Sequence, residues 1–132
     1  MKPRDRVLAG NCYFALISRN RKYRYCVRAI DRDTAYPQYS IYVYDISTEK
    51  YTIIGQYLPW QKFVDDRFVW VKHGLWPEAK TFIQSYLLQT CKFIVVFDKR
   101  CCRCGKRLSE QYTQQGYGPE CAQYIKENDG TE

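Results

Sequence analysis

The chain has 132 residues, of which 45% are hydrophobic and 17% aromatic, and its formal net charge is +7. This length suits one compact domain with a small appended module, and it is too short for a doubly wound nucleotide-binding enzyme or a TIM barrel. The longest apolar run is Phe93–Phe97, far short of a membrane span, and the basic start lacks the long apolar segment of a secretory signal. We therefore expect an intracellular protein that does not associate with a membrane.

The positive charge is concentrated in two segments. Residues 1–30 carry a net charge of +7 and residues 91–109 carry +5, whereas residues 110–132 form an acidic tail of −4. Solvated strand faces and turns are often basic without any function. A basic surface of this kind also suits phosphate groups or an acidic protein partner. The candidate contact residues in these segments are Arg19, Arg21, Lys22, Arg24, Arg28, Arg103, Lys106 and Arg107.

The first part of the chain predicts a meander of antiparallel strands. The segments Cys12–Ser18 and Tyr23–Ile30 flank the polar turn Arg19–Lys22, which is typical of a hairpin. In the second of these strands, aromatic and apolar residues alternate with Arg24 and Arg28. The alternation predicts a strand with one apolar face and one mainly basic face.

Further strands and one helix follow. Tyr39–Ile46, Tyr51–Gly55 and Phe63–Val71 are predicted as strands from their β-branched and aromatic residues. A helix is predicted near 77–90, because proline suits a first helical turn. The residues of its apolar stripe recur at three- and four-residue spacing: Ala79, Phe82, Ile83, Tyr86 and Leu87. Phe93–Phe97 then predicts a buried strand that leads into a cluster of cysteines.

Seven cysteines, an odd number without an export signal, favour metal ligands over disulfides. Cys101 and Cys104 have the C-x2-C spacing that lets a tight turn direct two sulfurs at one zinc ion. Gly105 suits that turn because it can take a positive φ. Cys121 follows a Gly- and Pro-rich turn and is predicted to begin a short helix, where exposed N–H groups favour the thiolate. Cys101, Cys104 and Cys121 are therefore the predicted ligands of a structural zinc ion.

The fourth ligand is less well defined, because Tyr124 stands where a second C-x2-C pair would end. Cys91 is the favoured candidate, since its strand runs toward the knuckle. The other candidates are His73, Cys102, Cys12 and Cys26, of which the last two are more typical of small buried side chains. A thioredoxin-type redox pair would need a βαβ setting, and an iron–sulfur cluster usually needs four clear cysteines.

These elements together predict the fold class α+β. An antiparallel β meander with one packed helix forms the first domain, over residues 1–97. A small zinc-knuckle module follows over residues 98–132, with a short C-terminal helix and the acidic tail.

Residues 101–121, CCRCGKRLSEQYTQQGYGPEC, resemble a family of small phage- and plasmid-borne zinc-knuckle proteins with the pattern C-x-x-C-G-[RK]-x-L…S…G-[IY]-G-P-x-C. The matching residues are Cys101, Cys104, Gly105, Lys106, Leu108, Gly116, Gly118, Pro119 and Cys121. Ser109 stands where the family usually has Thr, and the family's later Ser is replaced around Thr113. Upstream, residues 10–16 echo the G-x-Y-A-L-like strand of many relatives. The resemblance implies a mobile-element origin and metal binding by the three matched cysteines.

No catalytic constellation stands out, so we expect a binding protein and not an enzyme. The sequence holds no H-E-x-x-H, no deaminase H-x-E…C-x-x-C pattern and no phosphate-binding glycine loop, and His73 is the only histidine. Acidic Asp65-Asp66 is more typical of a solvated turn than of an acid–base pair.

Two functions fit this expectation. The resemblance to phage-borne proteins, and to the small metal-binding anti-CRISPR proteins, implies an inhibitor that binds a Cas9-type nuclease in the cytoplasm of a bacterial host. It would hinder loading of guide or target DNA. The alternative is a basic zinc-knuckle protein that binds nucleic acid, with Tyr23 and Tyr25 interleaved among the basic residues to stack bases.

Overall fold

The structure, a computed structural model, describes residues 2–31, 33–113, 115–118 and 121. It is an α+β fold around a six-stranded antiparallel sheet. In chain order the elements are α1 (Pro3–Val7), β1 (Asn11–Ser18), β2 (Arg21–Ile30), β3 (Gln38–Asp45), β4 (Lys50–Tyr57), a 3₁₀ turn (Val64–Arg67), β5 (Phe68–Trp70), α2 (Pro77–Leu87), β6 (Ile94–Phe97) and α3 (Glu110–Thr113). None of these helices has the length and apolar character needed to cross a membrane. The predicted helix after Cys121 and the last part of the acidic tail, residues 122–132, lie outside the described residues.

The sheet confirms the predicted meander and adds one strand to it. Strands β1 to β5 pair with their neighbours in chain order, and β6 returns after α2 to pair with the free side of β1, giving the order β5-β4-β3-β2-β1-β6. The chain stays beside β1 after β6, where the Asp98 N–H donates to the Tyr13 carbonyl (3.0 Å) and the Asn11 N–H to the Cys102 carbonyl (2.8 Å). The cysteine segment is therefore held against the first strand.

One face of the sheet packs against the helices. Helix α2 buries Ala79, Ile83 and Leu87, three members of the predicted stripe, and α1 adds Val7. Burying a Leu or Ile side chain contributes about 1.5–3 kcal/mol, so this stripe is a main source of stability for α2. The core cluster consists of Val7, Cys12, Phe14, Leu16, Tyr25, Val27, Ile41, Val43, Ile54, Tyr57, Phe68, Ala79, Ile83, Leu87 and Cys102.

The opposite face of the sheet carries the other half of each alternating strand. In β2, Tyr25 and Val27 belong to the core, so Arg24 and Arg28 point to the opposite side. In β3, Ile41 and Val43 are buried, and the tyrosines between and after them point away from the core. Because α1 and α2 both pack into the core cluster, neither covers this second side. We call it the open face; its residues are Tyr13, Arg24, Cys26, Arg28, Tyr42, Tyr44 and Tyr51.

Two predicted strands differ from the structure. Of Phe63–Val71, only Phe68–Trp70 is a strand, because the acidic residues before it form the 3₁₀ turn and leave Phe63 65% exposed. Strand β6 is an edge strand and is not buried on both sides: Ile94 and Val96 are 64% and 46% exposed. An apolar run is equally typical of a buried strand and of an edge strand that covers a core with one face.

Candidate metal centre and open sheet face

The three predicted ligands come together in the structure. The sulfur atoms of Cys101, Cys104 and Cys121 all lie within 4.8 Å of one another, and none is in a disulfide. In a tetrahedral zinc site with Zn–S bonds of about 2.3 Å, neighbouring sulfurs are about 3.8 Å apart. Small side-chain rotations would therefore close this group around one ion. Cys101 is buried and Cys104 is exposed, so the group lies at the surface of the module.

A tight turn positions the first two sulfurs. The Cys101 N–H donates to the Lys106 carbonyl (2.7 Å), and the Gly105 N–H donates back to the Cys101 carbonyl (2.8 Å). Gly105 has φ +80°, and a Cβ there would lie 2.7 Å from the Asn11 amide nitrogen. The Asn11 side chain could shift to make room, so it is the positive φ that favours glycine here, as the sequence predicts.

Hydrogen bonds adjust the acidity of the cluster. Burial acts to raise the pKa of Cys101, but backbone N–H groups of Cys104, Gly118 and Arg103 donate to its sulfur and bring the pKa below its usual value. Burial raises the pKa of Cys121 to about 11, and its hydrogen bonds with the other two thiols act in the same direction. Cys101 therefore loses its proton more readily than Cys121 does.

Cys102 belongs to the core although it is adjacent to a predicted ligand. Its side chain is 1% exposed within the core cluster, and burial raises its pKa to about 11. Its backbone N–H donates to the Gly116 carbonyl at 2.6 Å. Cys101 and Cys102 therefore point to opposite sides of the turn, one toward the metal site and one toward the sheet.

The other candidates for the fourth ligand are not brought to this group. Cys91 is exposed and lines a separate cavity of about 540 Å³ together with Arg4 and Tyr86. His73 accepts a hydrogen bond from the Leu75 N–H (3.2 Å) in the loop before α2. Cys12 and Cys26 are buried side chains of the sheet, as predicted. Among the described residues, the group of close ligand atoms consists of the three sulfurs named above.

Cations surround the metal site. A cavity of about 600 Å³ is lined by the three cysteines and by Arg103, Lys106 and Arg107. The Arg103 guanidinium also lies 4.0 Å from the Cys121 sulfur. Three thiolates on a divalent ion leave a net negative charge, so these cations would stabilise the loaded site in addition to any contact with a partner.

A second group of cations lies on the open face, where each is supported by a tyrosine ring. The Arg24 guanidinium is 4.3 Å from the centre of the Tyr44 ring, and the Arg28 guanidinium is 5.7 Å from that of Tyr42. The Tyr51 ring contacts the rings of Tyr13 and Tyr44 edge to face. Cation–π contact of this kind restricts an arginine without neutralising it.

Arg21 lies on the other side of the sheet. Its guanidinium is 2.7 Å from the carboxylate of Glu78 in α2, which also accepts a hydrogen bond from the Tyr23 hydroxyl (2.5 Å). Among the described residues, Arg21 and Glu78 form the one ion pair. Arg24 and Arg28 therefore have no carboxylate within 4.0 Å among those residues. The charge of Arg21 is balanced by Glu78, whereas no described carboxylate balances those of Arg24 and Arg28 in this way.

The predicted aromatic partners of the basic residues were wrong. Tyr23 and Tyr25 point to the helix side of the sheet, because residues of β2 at even and odd positions face opposite ways. The rings beside the arginines come from β3 instead. The alternation of Tyr42 and Tyr44 with the buried Ile41 indicates that these tyrosines lie on the face opposite the core. That they lie beside the arginines of β2 follows only from the pairing register, in which Cys26 is opposite Tyr42.

Comparisons with protein-family models, with curated proteins and with solved structures find no match to this chain. The site is therefore interpreted from its own geometry.

Proposed function

We propose that this protein binds nucleic acid through its open face and that a zinc ion at Cys101, Cys104 and Cys121 stabilises the adjoining module. The observation that carries the proposal is the pair of exposed arginines, Arg24 and Arg28, which lie on tyrosine rings and have no carboxylate within 4.0 Å among the described residues. Phosphate groups are the natural counter-charge for such a surface.

The charge of the face supports a polyanion as the partner. Arg100 lies over the Tyr13 ring at 4.8 Å, which extends the arginine layer toward the cysteine module. Asp98 is near the same surface, as its effect on Tyr51 indicates. Burial raises the pKa of Tyr51, the charge of Arg24 lowers it, and the charge of Asp98 raises it. Among the described residues named here, one carboxylate beside three arginines leaves this surface positive.

The aromatic layer supports a nucleic acid over other polyanions. Tyrosine rings and guanidinium planes are the groups on which proteins stack nucleobases, and strands of an antiparallel sheet are a common platform for them. The ring beneath each guanidinium holds it near one position, which reduces the side-chain entropy lost on binding.

Zinc is the metal that this donor set favours. Soft thiolate ligands in a C-x2-C turn are typical of structural zinc, and the sulfurs already lie near tetrahedral spacing. The binding free energy of a thiolate zinc site, on the order of 10 kcal/mol, would hold a segment that contributes few residues to the core. The metal has a structural role in this proposal, and no reaction is assigned to the protein.

The test measures binding of a fluorescent oligonucleotide as a function of salt. We expect the affinity of the natural chain to fall steeply as salt rises, because bound counterions are released. The double substitution Arg24→Gln with Arg28→Gln should weaken binding and reduce the slope of log K against log salt by about 2, or about 1 per lost phosphate contact.

Arg21→Gln is the matched control. It removes one positive charge from the same strand, as Arg24→Gln or Arg28→Gln does alone, but on the side where Glu78 already balances it. We expect this variant to bind nearly as the natural chain does. Equal losses in the control and in the double variant, or no detectable binding to DNA and RNA of any form, would overturn the proposal.

The inhibitor of a Cas9-type nuclease, implied by the sequence resemblance, stays a prediction. Its test is copurification with such a nuclease and loss of DNA cleavage. The double substitution would also weaken contact with an acidic protein surface, so its effect alone does not separate the two functions. Binding of an oligonucleotide does separate them, because the nucleic-acid-binding function requires it.

A further inference from the structure

A cavity of about 400 Å³ opens where strands β2 and β3 cease to pair. Their pairing begins at Tyr25, opposite Val43, although β2 starts at Arg21 and β3 continues to Asp45. Within the described part of the chain, the first residues of β2 therefore pair with β1 alone. The cavity lies beside these residues, and its volume falls in the range of small-molecule sites.

The lining combines two cations with aromatic and apolar surface. The residues that line the cavity are Lys22, Tyr23, Arg24, Tyr44, Asp45, Ile46 and Trp76. Arg24 and Tyr44 are the same pair that belongs to the open face, so the cavity is continuous with it. The Asp45 carboxylate accepts two hydrogen bonds from Ser47, at 2.9 and 2.7 Å, which engages it in the neighbouring turn.

Trp76 is held in an unusual backbone conformation at this cavity. It has φ 65° and ψ 41°, in the left-handed region, directly before the first residue of α2. Bulky residues seldom occupy this region, and such strain concentrates at ligand sites. Its side chain also makes no capping hydrogen bond to the helix. The Trp76 carbonyl accepts a hydrogen bond from the Lys80 N–H (3.0 Å) at the start of α2, while its side chain packs against the core cluster and lines the cavity.

We propose that this cavity binds one unstacked base of a single-stranded nucleic acid, with the adjoining phosphate on Lys22 and Arg24. The inference rests on the proposed function and specifies its ligand. Tyr44 and Trp76 supply the planes for the base, and Ile46, 81% exposed, supplies apolar contact at the rim. In a duplex each base is paired and stacked, and drawing it into a pocket costs free energy that a single strand does not lose.

The broad shape of the site agrees with a single strand. Reading the major groove of a duplex requires a helix or a two-stranded ribbon that can enter it. In the described part of the chain, α2 buries its stripe against the sheet, and α1 is only five residues long. A sheet face with one base-sized pocket at its edge suits a strand laid across it.

The test compares an oligothymidylate of about 20 nucleotides with the same strand in a duplex, using the full-length chain. We expect the single strand to bind at least about tenfold more tightly. An oligouridylate of equal length should bind within about threefold of the oligothymidylate, because phosphate and base planes are common to both. A strong preference between these two strands would show that the sugar is read, and would overturn the assignment to phosphate and base.

Substitutions locate the base. Trp76→Leu should weaken single-strand binding about fivefold or more while leaving duplex binding unchanged, and Trp76→Phe should restore most of the loss. Trp60→Leu is the control, since Trp60 contacts Tyr36 away from the cavity. Should Trp76→Leu not fold, as judged by circular dichroism, Tyr44→Leu makes the same test from the other side of the cavity.

The outcomes separate the two proposals. If neither strand nor duplex binds, the proposed function fails, and this inference fails with it. If the duplex binds as tightly as the single strand, or the cavity substitutions affect both equally, the open face binds nucleic acid but the cavity does not take a base.

Discussion

The hydroxyl of Tyr25 donates a hydrogen bond of 2.6 Å to the carbonyl of Ala79. This contact joins a central strand of the sheet to the first turn of α2, and both residues are fully buried. Burial raises the pKa of Tyr25 well above its usual value, with smaller contributions in the same direction from Tyr23 and Glu78. The bond is therefore made by a neutral phenol in an apolar environment.

Tyr25→Phe tests the contribution of this bond to stability. We expect the free energy of unfolding to fall by about 1 kcal/mol, because the ring still fills its site and only the hydrogen bond is lost. Urea unfolding measures the change as a lower midpoint with an unchanged slope. Tyr36→Phe, at a residue that is 63% exposed, is the control and should have the midpoint of the natural chain. Equal midpoints for both variants would contradict the assignment.

The same residue should govern stability in alkali. A raised pKa in the folded state means that the folded chain keeps a proton which the unfolded chain loses above about pH 10. The stability contribution is complete below that pH and is lost as the pH rises toward the folded value. In Tyr25→Phe the fall of unfolding free energy with pH should be shallower by about 1.4 kcal/mol per pH unit above pH 10. Tyr86, whose pKa burial raises to about 12, adds to the remaining slope.

The metal site is tested by replacing single sulfurs. Cys101→Ser and Cys121→Ser should lose stoichiometric zinc and destabilise the cysteine module, because each removes one of three close ligand atoms. Metal content by mass spectrometry and the proteolysis rate of residues 98–132 report the two effects. Cys91→Ser is the control, since Cys91 lies in a separate cavity and should keep the metal. Loss of zinc in this control would make Cys91 the fourth ligand, as the sequence favoured.

The main elements could be predicted because they depend on local patterns. Alternation in β2 and the three- and four-residue spacing in α2 each indicate one buried face, and the structure buries those faces. The C-x2-C turn is equally local, since the residues that define it, Cys101, Cys104 and Gly105, lie within five consecutive positions. Cys121 was identified from its Gly- and Pro-rich approach, and the structure places its sulfur beside the other two.

The remaining features depend on contacts between distant residues. That Arg24 lies on Tyr44 follows from the register of β2 against β3, which no single segment contains. The cavity beside Trp76 depends on where the pairing of β2 with β3 ends, and the shortness of β5 depends on the turn before it. Sequence patterns indicate which face of a strand is buried, but the residues that meet on the other face are decided by pairing.

Gly55 shows how such pairing constrains a single residue. It lies in β4 opposite Trp70 of β5, beside the register shift between Ile41 and Tyr42. A Cβ on Gly55 would overlap the Trp70 ring and lie 2.8 Å from the Val69 carbonyl oxygen. A backbone atom cannot yield as a flexible side chain can, so the added methyl group would push the short edge strand away.

We therefore expect Gly55→Ala to lower the free energy of unfolding by about 1–3 kcal/mol, as overpacking does elsewhere. Gly74→Ala is a matched control, because a Cβ there has no atom within 4 Å and should change stability by no more than about 0.5 kcal/mol. Tryptophan fluorescence during urea unfolding reports the global transition, to which Trp70 contributes together with Trp60 and Trp76. If the two alanine variants unfold at the same urea concentration, the packing of Trp70 on Gly55 does not hold β5 on the sheet.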